Sequence, residues 1–293
     1  MSSRTFVGVL AVILIVVLVL ALTYKPKNVE PGVYQFRLLP MSLVVKPTVQ
    51  DNIQGDRDVR TLPESIDLFA TSPTPSYVLD QGIWGSCTAF STKYAYYFWM
   101  NRPGNTPLDM SPAFTYAQSR IAGNYGLSDV GSTNSSTVSV FKNIGVAPES
   151  LFPYWAKNIF INPSTVPGLL ASAGHKCTFT SVPFSTNSAT TLTRMKTALQ
   201  TGGLVVGIVV FNSHMTTEAL KTGAWGMPTN ADLRAGPMGG HSICLTGYTG
   251  DKFTFHNSWG VYCGLGGAFT IPQAYFTTTT NGNPTYAFDM WTL

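Results

Sequence analysis

A chain of 293 residues with a formal net charge of +4 can bury a core of one domain of roughly 230 residues or of two half-sized lobes. Its 18 Lys and Arg and 14 Asp and Glu are scattered, with no basic run and no basic stripe interleaved with aromatics, which argues against nucleic acid as a partner. Charged residues make up 11% of the chain, well under the usual quarter, and four cysteines are too few for a dense disulfide framework, which favours a reducing compartment.

The first element is an apolar run, FVGVLAVILIVVLVLAL, from Phe6 to Leu22. It is longer than the apolar region of a cleaved signal peptide, about 7 to 15 residues, and Thr23, Tyr24, Lys25 and Pro26 make a poor cleavage site. An uncleaved transmembrane anchor over residues 1–24 is therefore expected, with a secreted chain as the alternative. Arg4 and the terminal amine on one side nearly balance Lys25 and Lys27 on the other, which leaves the orientation open. Residues 25–61 carry Pro26, Pro31, Pro40 and Pro47 with no sustained periodicity and read as a linker or short pro-segment.

A folded domain is expected over 62–293. Residues 87 to 100 place Phe90, Tyr94, Tyr97 and Phe98 at helical spacing. Ser111-Pro112 is a cap and first-turn pair for a helix through about Ile121. A third helix enters from Ser135 or Ser136, runs through Val138, Phe141 and Ile144, and is stopped by Gly145. The sequon Asn134-Ser135-Ser136 is a triplet that often arises by chance. A short helix around Leu192 to Leu199 ends at Gly202 and Gly203, and LVVGIVVF at 204 to 211 is typical of a buried strand. HSICLTGY at 241 to 248 and KFTFHNSW at 252 to 259 flank Thr249-Gly250-Asp251 as a hairpin-like pair. Helices first and strands later predict two segregated lobes, α then β.

Cys87 opens the first of these helices, where the positive end of the macrodipole and unpaired N–H groups favour thiolate over thiol. A directed nucleophile also needs a base, ordinarily histidine. The candidates are His175, His214, His241 and His256. His241 follows Gly239 and Gly240, which bare the backbone to an approaching substrate, and Asn257 is suited to hold an imidazole N–H. A zinc site at His241-x-x-Cys244 is disfavoured, because residues of opposite parity on a strand face opposite sides. Cys244 reads as core, His175 and His214 as surface or loop residues, and Cys177 and Cys263 carry no assigned role.

QGIWGSCTAF around Cys87, GGHSICLTGY around His241 and HNSWGVYCG around Asn257 resemble, in order, the motifs of the papain-like cysteine peptidases. Gln81 precedes Cys87 by six positions and Asn257 follows His241 by sixteen, both close to that family's spacing. LPESIDL at 62 to 68 looks like the start of its mature enzymes and Phe152-Pro153-Tyr154 like the segment that closes its helical lobe. The His and Asn lie 154 and 170 residues after Cys87, slightly beyond the usual 130 to 150. Thr88 stands where the family has an aromatic, Trp84 where it has a disulfide-forming cysteine, and Cys263 where it has a second tryptophan. An impression of style also links the chain to papain-like proteins of large DNA viruses.

The resemblance implies an α+β, papain-like two-lobe fold, with an N-terminal helical lobe and a C-terminal antiparallel β-barrel-like lobe. It implies a cysteine endopeptidase in which Cys87 attacks a peptide carbonyl, His241 carries the proton and Asn257 fixes the imidazole. Gln81, through its side chain, and Cys87, through its backbone N–H, would form the oxyanion hole, and Trp259 would shield the Asn257–His241 contact. Asp129, Gly131, Gly239 and Gly240 would line the substrate groove, with apolar side chains tolerated beside Gly240. No metal or cofactor is implied. The expected partners are a protein or peptide substrate and, through residues 6–22, a lipid bilayer, for a monomer. The alternatives are a catalytically inactive papain-like domain with a membrane-associated structural or binding role, and acyl transfer by the same three residues.

Overall fold

The computed structural model describes residues 62–71, 78–105, 108–154 and 158–293. The expected anchor and the 25–61 segment lie outside the described residues, and among the described residues no helix is long and apolar enough to cross a membrane. Strand β1 (Ser65–Asp67) and helix α1 (Leu68–Thr71) precede α2 (Cys87–Met100), α3 (Pro112–Ala122), α4 (Asn134–Asn143) and α5 (Leu169–Ser172). There follow β2 (Thr180–Ser181), α6 (Ser188–Thr201), β3 (Leu204–Val210), α7 (Thr217–Thr222), α8 (Asn230–Ala235), β4 (Gly239–Thr249), β5 (Lys252–His256) and β6 (Ala268–Pro272). Helix α9 (Ala274–Thr277), β7 (Thr279–Thr280), β8 (Asn283–Pro284) and β9 (Ala287–Thr292) complete the chain.

The helices α2 to α4 precede the long strands β3 to β6, as the sequence predicts, but β1 comes before them and α6 to α9 lie among the strands; the boundaries that differ have identifiable causes. Helix α3 starts as expected, with the Ser111 hydroxyl accepting from the Phe114 N–H at 3.0 Å and Pro112 in the first turn. Helix α4 starts earlier than Ser135, capped by Thr133, whose hydroxyl accepts from the Ser136 N–H at 3.0 Å. Its first turn is held from outside: Asp289 Oδ2 accepts the Ser135 N–H at 3.2 Å, and the Asp289 carbonyl accepts from Asn134 Nδ2 at 3.1 Å. Asn134 is buried and its amide engaged, so the sequon is closed to glycosylation in this state. Helix α6 begins at Ser188 behind an Asn187 cap, ahead of Leu192, because its first turn is polar and carries no apolar period.

The sheet runs β2-β9-β3-β4-β5-β6, every pairing antiparallel, with β1 added to the far half of β4. Strand β3 shows how one apolar run serves both halves of the molecule. Alternate side chains of a strand point to opposite faces. Leu204, Val206, Ile208 and Val210 join the core that also holds Ile243, Leu245, Phe255 and Phe269. Val205 joins the helical core with Phe90, Tyr94, Phe114 and Phe141, and Val209 packs with Cys87, Phe211 and Phe288. Gly207 is the small residue of that second face, since a Cβ there would lie 2.3 Å from the Phe288 ring. Strand β4 obeys the same rule: Ile243 and Leu245 face the C-terminal core, while Cys244 is fully buried on the helical side.

Two expectations are corrected. His214 is neither surface nor exposed loop: it is 1% accessible, stacked on Trp225 with ring centroids 4.6 Å apart. Its burial comes from aromatic partners distant in sequence, which no local pattern reports. Helix α2 is buried around nearly its whole circumference, Ser91, Thr92 and Lys93 included, rather than along one apolar stripe. His175, by contrast, is exposed, as expected.

His256 stacks on Phe69 with centroids 3.4 Å apart and places Nδ1 3.2 Å from Thr246 Oγ1. Burial lowers this imidazole to about 4, with Asp67 acting in the opposite sense. The unfolded chain takes up that proton near pH 6.5, while the folded chain excludes it until about pH 4. Stability linked to His256 is therefore fully present above pH 6.5 and is lost as pH falls toward 4, by about 3 kcal/mol. Urea unfolding across this range should show a steeper acid loss in the wild type than in His256→Phe, which keeps a ring against Phe69 and cannot ionise. Equal slopes would refute this assignment.

Candidate active site

Helix α2 delivers Cys87 at its first position, with Ser86 preceding it, so that the helix provides no carbonyl partner for the Cys87 N–H. Cys87 is 1% accessible and belongs to a buried apolar cluster with Val209, Phe211 and Phe288. Strand β4 delivers His241 opposite Ile208 of β3, and the backbone of the next residue, Ser242, acts to lower the Cys87 pKa. The Ser242 hydroxyl ties β4 to the helices, 2.6 Å from Ser91 Oγ on α2 and donating to Asn134 Oδ1 on α4 at 2.7 Å. Asn257 follows directly after β5, its N–H bonded to the Gly267 carbonyl at 2.9 Å.

His241 Nε2 lies 2.9 Å from Asn257 Oδ1, and that same oxygen accepts the Ser258 N–H at 2.8 Å. An oxygen already accepting from a backbone N–H can only accept again, which assigns the proton to Nε2 and leaves Nδ1 with a lone pair. Trp259 stacks on the His241 ring at 5.0 Å and 25°, covering this contact as expected. Asn257 Nδ2 is buried without a hydrogen-bond partner among the described residues, an arrangement that selection for stability alone would remove.

Gln81 is anchored at every polar group but one N–H. Its N–H donates to the Ser258 carbonyl at 2.8 Å and its carbonyl accepts from Tyr154 Oη at 2.9 Å. Oε1 accepts from Ser258 Oγ at 2.5 Å and Nε2 donates to the Trp84 carbonyl at 2.7 Å. One Nε2 hydrogen is left for an oxyanion. Tyr154, from the FPY segment, also lies 2.5 Å from Ser86 Oγ. Tyr94 Oη takes the Leu79 N–H at 2.9 Å and meets the Asn257 carbonyl at 3.3 Å. Sequence reading missed Ser258, Tyr154 and Tyr94 as supports, although all three sit inside or beside the motifs.

The 128–131 loop is held by buried polar groups. Asp129 Oδ1 accepts the Gly85 N–H at 3.0 Å and the Tyr116 hydroxyl at 2.6 Å, and Tyr116 in turn accepts the Gly131 N–H at 3.0 Å. The fully buried Arg120 donates to the Leu127, Ser128 and Ile159 carbonyls and lies 3.9 Å over the Tyr116 ring. Asp129 thereby ties the loop to the turn before Cys87. Gly239 and Gly240, half-buried at the head of β4, pair with Val210 and Val209. Thr88, where an aromatic was the family's choice, buries a hydroxyl with no partner among the described residues.

The electrostatics depart from expectation. Burial pushes the Cys87 thiol up to about 11, outweighing the hydrogen bonds from the Ser242, Thr88 and Cys87 backbone that pull it down, with Asp129 adding to the rise. Burial takes His241 down to about 4, against the upward pull of Asn257. The lowering expected from the helix terminus is present but smaller than desolvation, so this covered state holds a neutral thiol and a neutral imidazole. All four cysteines are buried and outside any disulfide. Among the described residues no group of His, Cys, Asp and Glu is placed to hold a metal ion.

Helices packed on an antiparallel sheet, with the His241–Asn257 pair held under Trp259, fit the papain-like fold. The solved structures agree. Xylellain, a cysteine protease from Xylella fastidiosa, superimposes with a TM-score of 0.67 at 24% identity, over 85% of this chain and 96% of its own. The proform of Amb a 11, a cysteine protease and major ragweed pollen allergen, gives 0.61 at 16% identity over 85% and 71%. In sequence, the chain is 29% identical over 237 residues to an uncharacterized peptidase C1-like protein of Acanthamoeba polyphaga mimivirus, covering 79% of this chain and 72% of that one. No protein-family model matches the chain. The resemblance to papain-like cysteine peptidases, a viral relative included, thus holds in sequence and in fold.

Replacing Tyr116 by Phe removes the donor to Asp129 and the acceptor for the Gly131 N–H. A loss of about 1–3 kcal/mol in unfolding free energy is expected, with faster amide exchange confined to residues 129–131. An unchanged exchange rate there would show that Arg120 alone holds the loop.

Proposed function

We propose that the protein is a cysteine peptidase that hydrolyses peptide bonds with Cys87 as nucleophile. The observation that supports this most is the His241 Nε2–Asn257 Oδ1 hydrogen bond beneath Trp259. With Nε2 protonated, the Nδ1 lone pair takes the thiol proton as sulfur attacks the carbonyl carbon. The tetrahedral oxygen receives the remaining Gln81 Nε2 hydrogen and the Cys87 N–H. Imidazolium then protonates the leaving amine, and water, deprotonated by His241, releases the acyl group and restores the thiol. Because both groups are neutral when covered, charge develops only as substrate and water enter. The groove is formed by Asp129, Gly131, Gly239 and Gly240. The apolar run at 6–22 would tether the enzyme to a bilayer.

The low accessibility of Cys87 is the observation that speaks for the alternative, an inactive binding domain. Turnover of a mixed peptide library by the full chain in mild detergent separates the two. Cleavage should vanish in Cys87→Ala and His241→Ala, and fall roughly 10²–10³-fold in kcat for Gln81→Ala. Asn257→Ala should fall about 10²-fold. Absence of cleavage, with Cys87 alkylated no faster than Cys177, Cys244 and Cys263, would establish the binding domain instead.

A further inference from the structure

His214 is a buried imidazole that the proposed chemistry does not use, yet chains of packed rings lead from it toward both halves of the site. It lies in the turn that follows β3. Its N–H donates to the Phe211 carbonyl at 3.1 Å, and the Phe211 N–H returns a bond to His214 Nδ1 at 3.3 Å. Nε2 lies 3.1 Å from the Gly226 carbonyl, which can only accept. The ring is therefore the neutral tautomer with its proton on Nε2 and a lone pair on Nδ1. Two paths lead from it. The Phe211 side chain shares a small buried apolar cluster with Cys87, Val209 and Phe288. Trp225, stacked on His214 at 4.6 Å and 11°, lies 6.0 Å from Trp259, which is the ring stacked on His241.

We propose that His214 is a positioning residue that, while neutral, holds Phe211 over the Cys87 thiol and Trp225 behind the Trp259–His241 stack, and that its protonation uncovers the thiol. A proton on Nδ1 would set one donor against another at the Phe211 N–H and leave that amide without an acceptor. It would also place a cation in an apolar, aromatic pocket. The groups facing His214 are Asp232 from α8 and Tyr275 from α9. Asp232 accepts from the Ser213 N–H at 3.0 Å, the Thr229 N–H at 2.8 Å and the Thr229 hydroxyl at 2.7 Å. Tyr275, its ring 5.6 Å away, donates its hydroxyl to the Val209 carbonyl at 2.6 Å, so it also braces the strand beside the thiol. Burial lowers the His214 imidazole, and Gly226 and Asp232 oppose that shift.

The inference rests on Cys87 and His241 being the reacting pair, but its test needs no peptidase activity. The full chain in detergent is labelled with 4,4'-dithiodipyridine, a disulfide that reacts with thiols in acid, between pH 7.5 and 4, with each cysteine read by mass spectrometry. A His241→Ala background removes the titration of His241. In that background Cys87 labelling should rise roughly tenfold through a one-proton acid transition, with Cys177, Cys244 and Cys263 unchanged. Tryptophan fluorescence should fall with the same midpoint as the His214 cation quenches Trp225. Adding His214→Asn, whose Oδ1 can accept from Phe211 without ionising, should abolish the transition and leave Cys87 slow throughout. Adding His214→Phe should make labelling fast at every pH. A transition that persists in His214→Asn, or labelling and fluorescence midpoints that differ, would overturn the proposal. The fluorescence comparison requires no His214 variant to fold.

Discussion

Asn257 offers its amide oxygen to His241 from inside the protein, and that requirement orders much of the surrounding structure. The oxygen has to be aimed, which the Ser258 N–H does, and water has to be kept off, which Trp259 does. The residue that follows is drawn in as well: Ser258 carries the Gln81 backbone on its carbonyl and the Gln81 side chain on its hydroxyl. One short segment after β5 thus aligns the imidazole and the Gln81 side-chain amide together. Because the two depend on the same peptide, a shift of this segment would misplace both.

Burial is the second constraint. Three backbone groups, two of them at the helix terminus, act on Cys87 in the direction of thiolate, yet burial in the cluster of Val209, Phe211 and Phe288 moves it the other way. Burial likewise strips His241, under Trp259, of its proton. A dipole contributes about 0.3–1 kcal/mol at an exposed terminus, whereas complete burial can shift a group by several pKa units. The covered site is therefore poised rather than ionised, and the side chains that cover it control its reactivity as directly as those that touch the reacting atoms.

Much of this was legible in the linear chain. Ser111-Pro112 predicted the start of α3, the apolar run at 204 to 211 predicted β3, and the parity of Cys244 relative to His241 predicted that the two face opposite sides. Strand β9 was not legible. It carries Asp289 at a φ of +55° in a pairing whose register shifts, so it shows no clean alternation. The early start of α4 escaped for a related reason, since the group that holds its first turn is Asp289, distant in sequence.

By itself the sequence determined the chemistry on offer: the order Gln81, Cys87, His241 and Asn257, the helix that presents the thiol, and the glycines that bare the backbone before His241. These are local facts, written in residue type, spacing and strand or helix period. Only the tertiary structure decided the protonation states, the supports contributed by Ser258, Tyr154 and Tyr94, and the burial of His214 among rings from separate segments. Desolvation and aromatic enclosure depend on what the rest of the chain brings to a point in space, and no window of sequence contains that information.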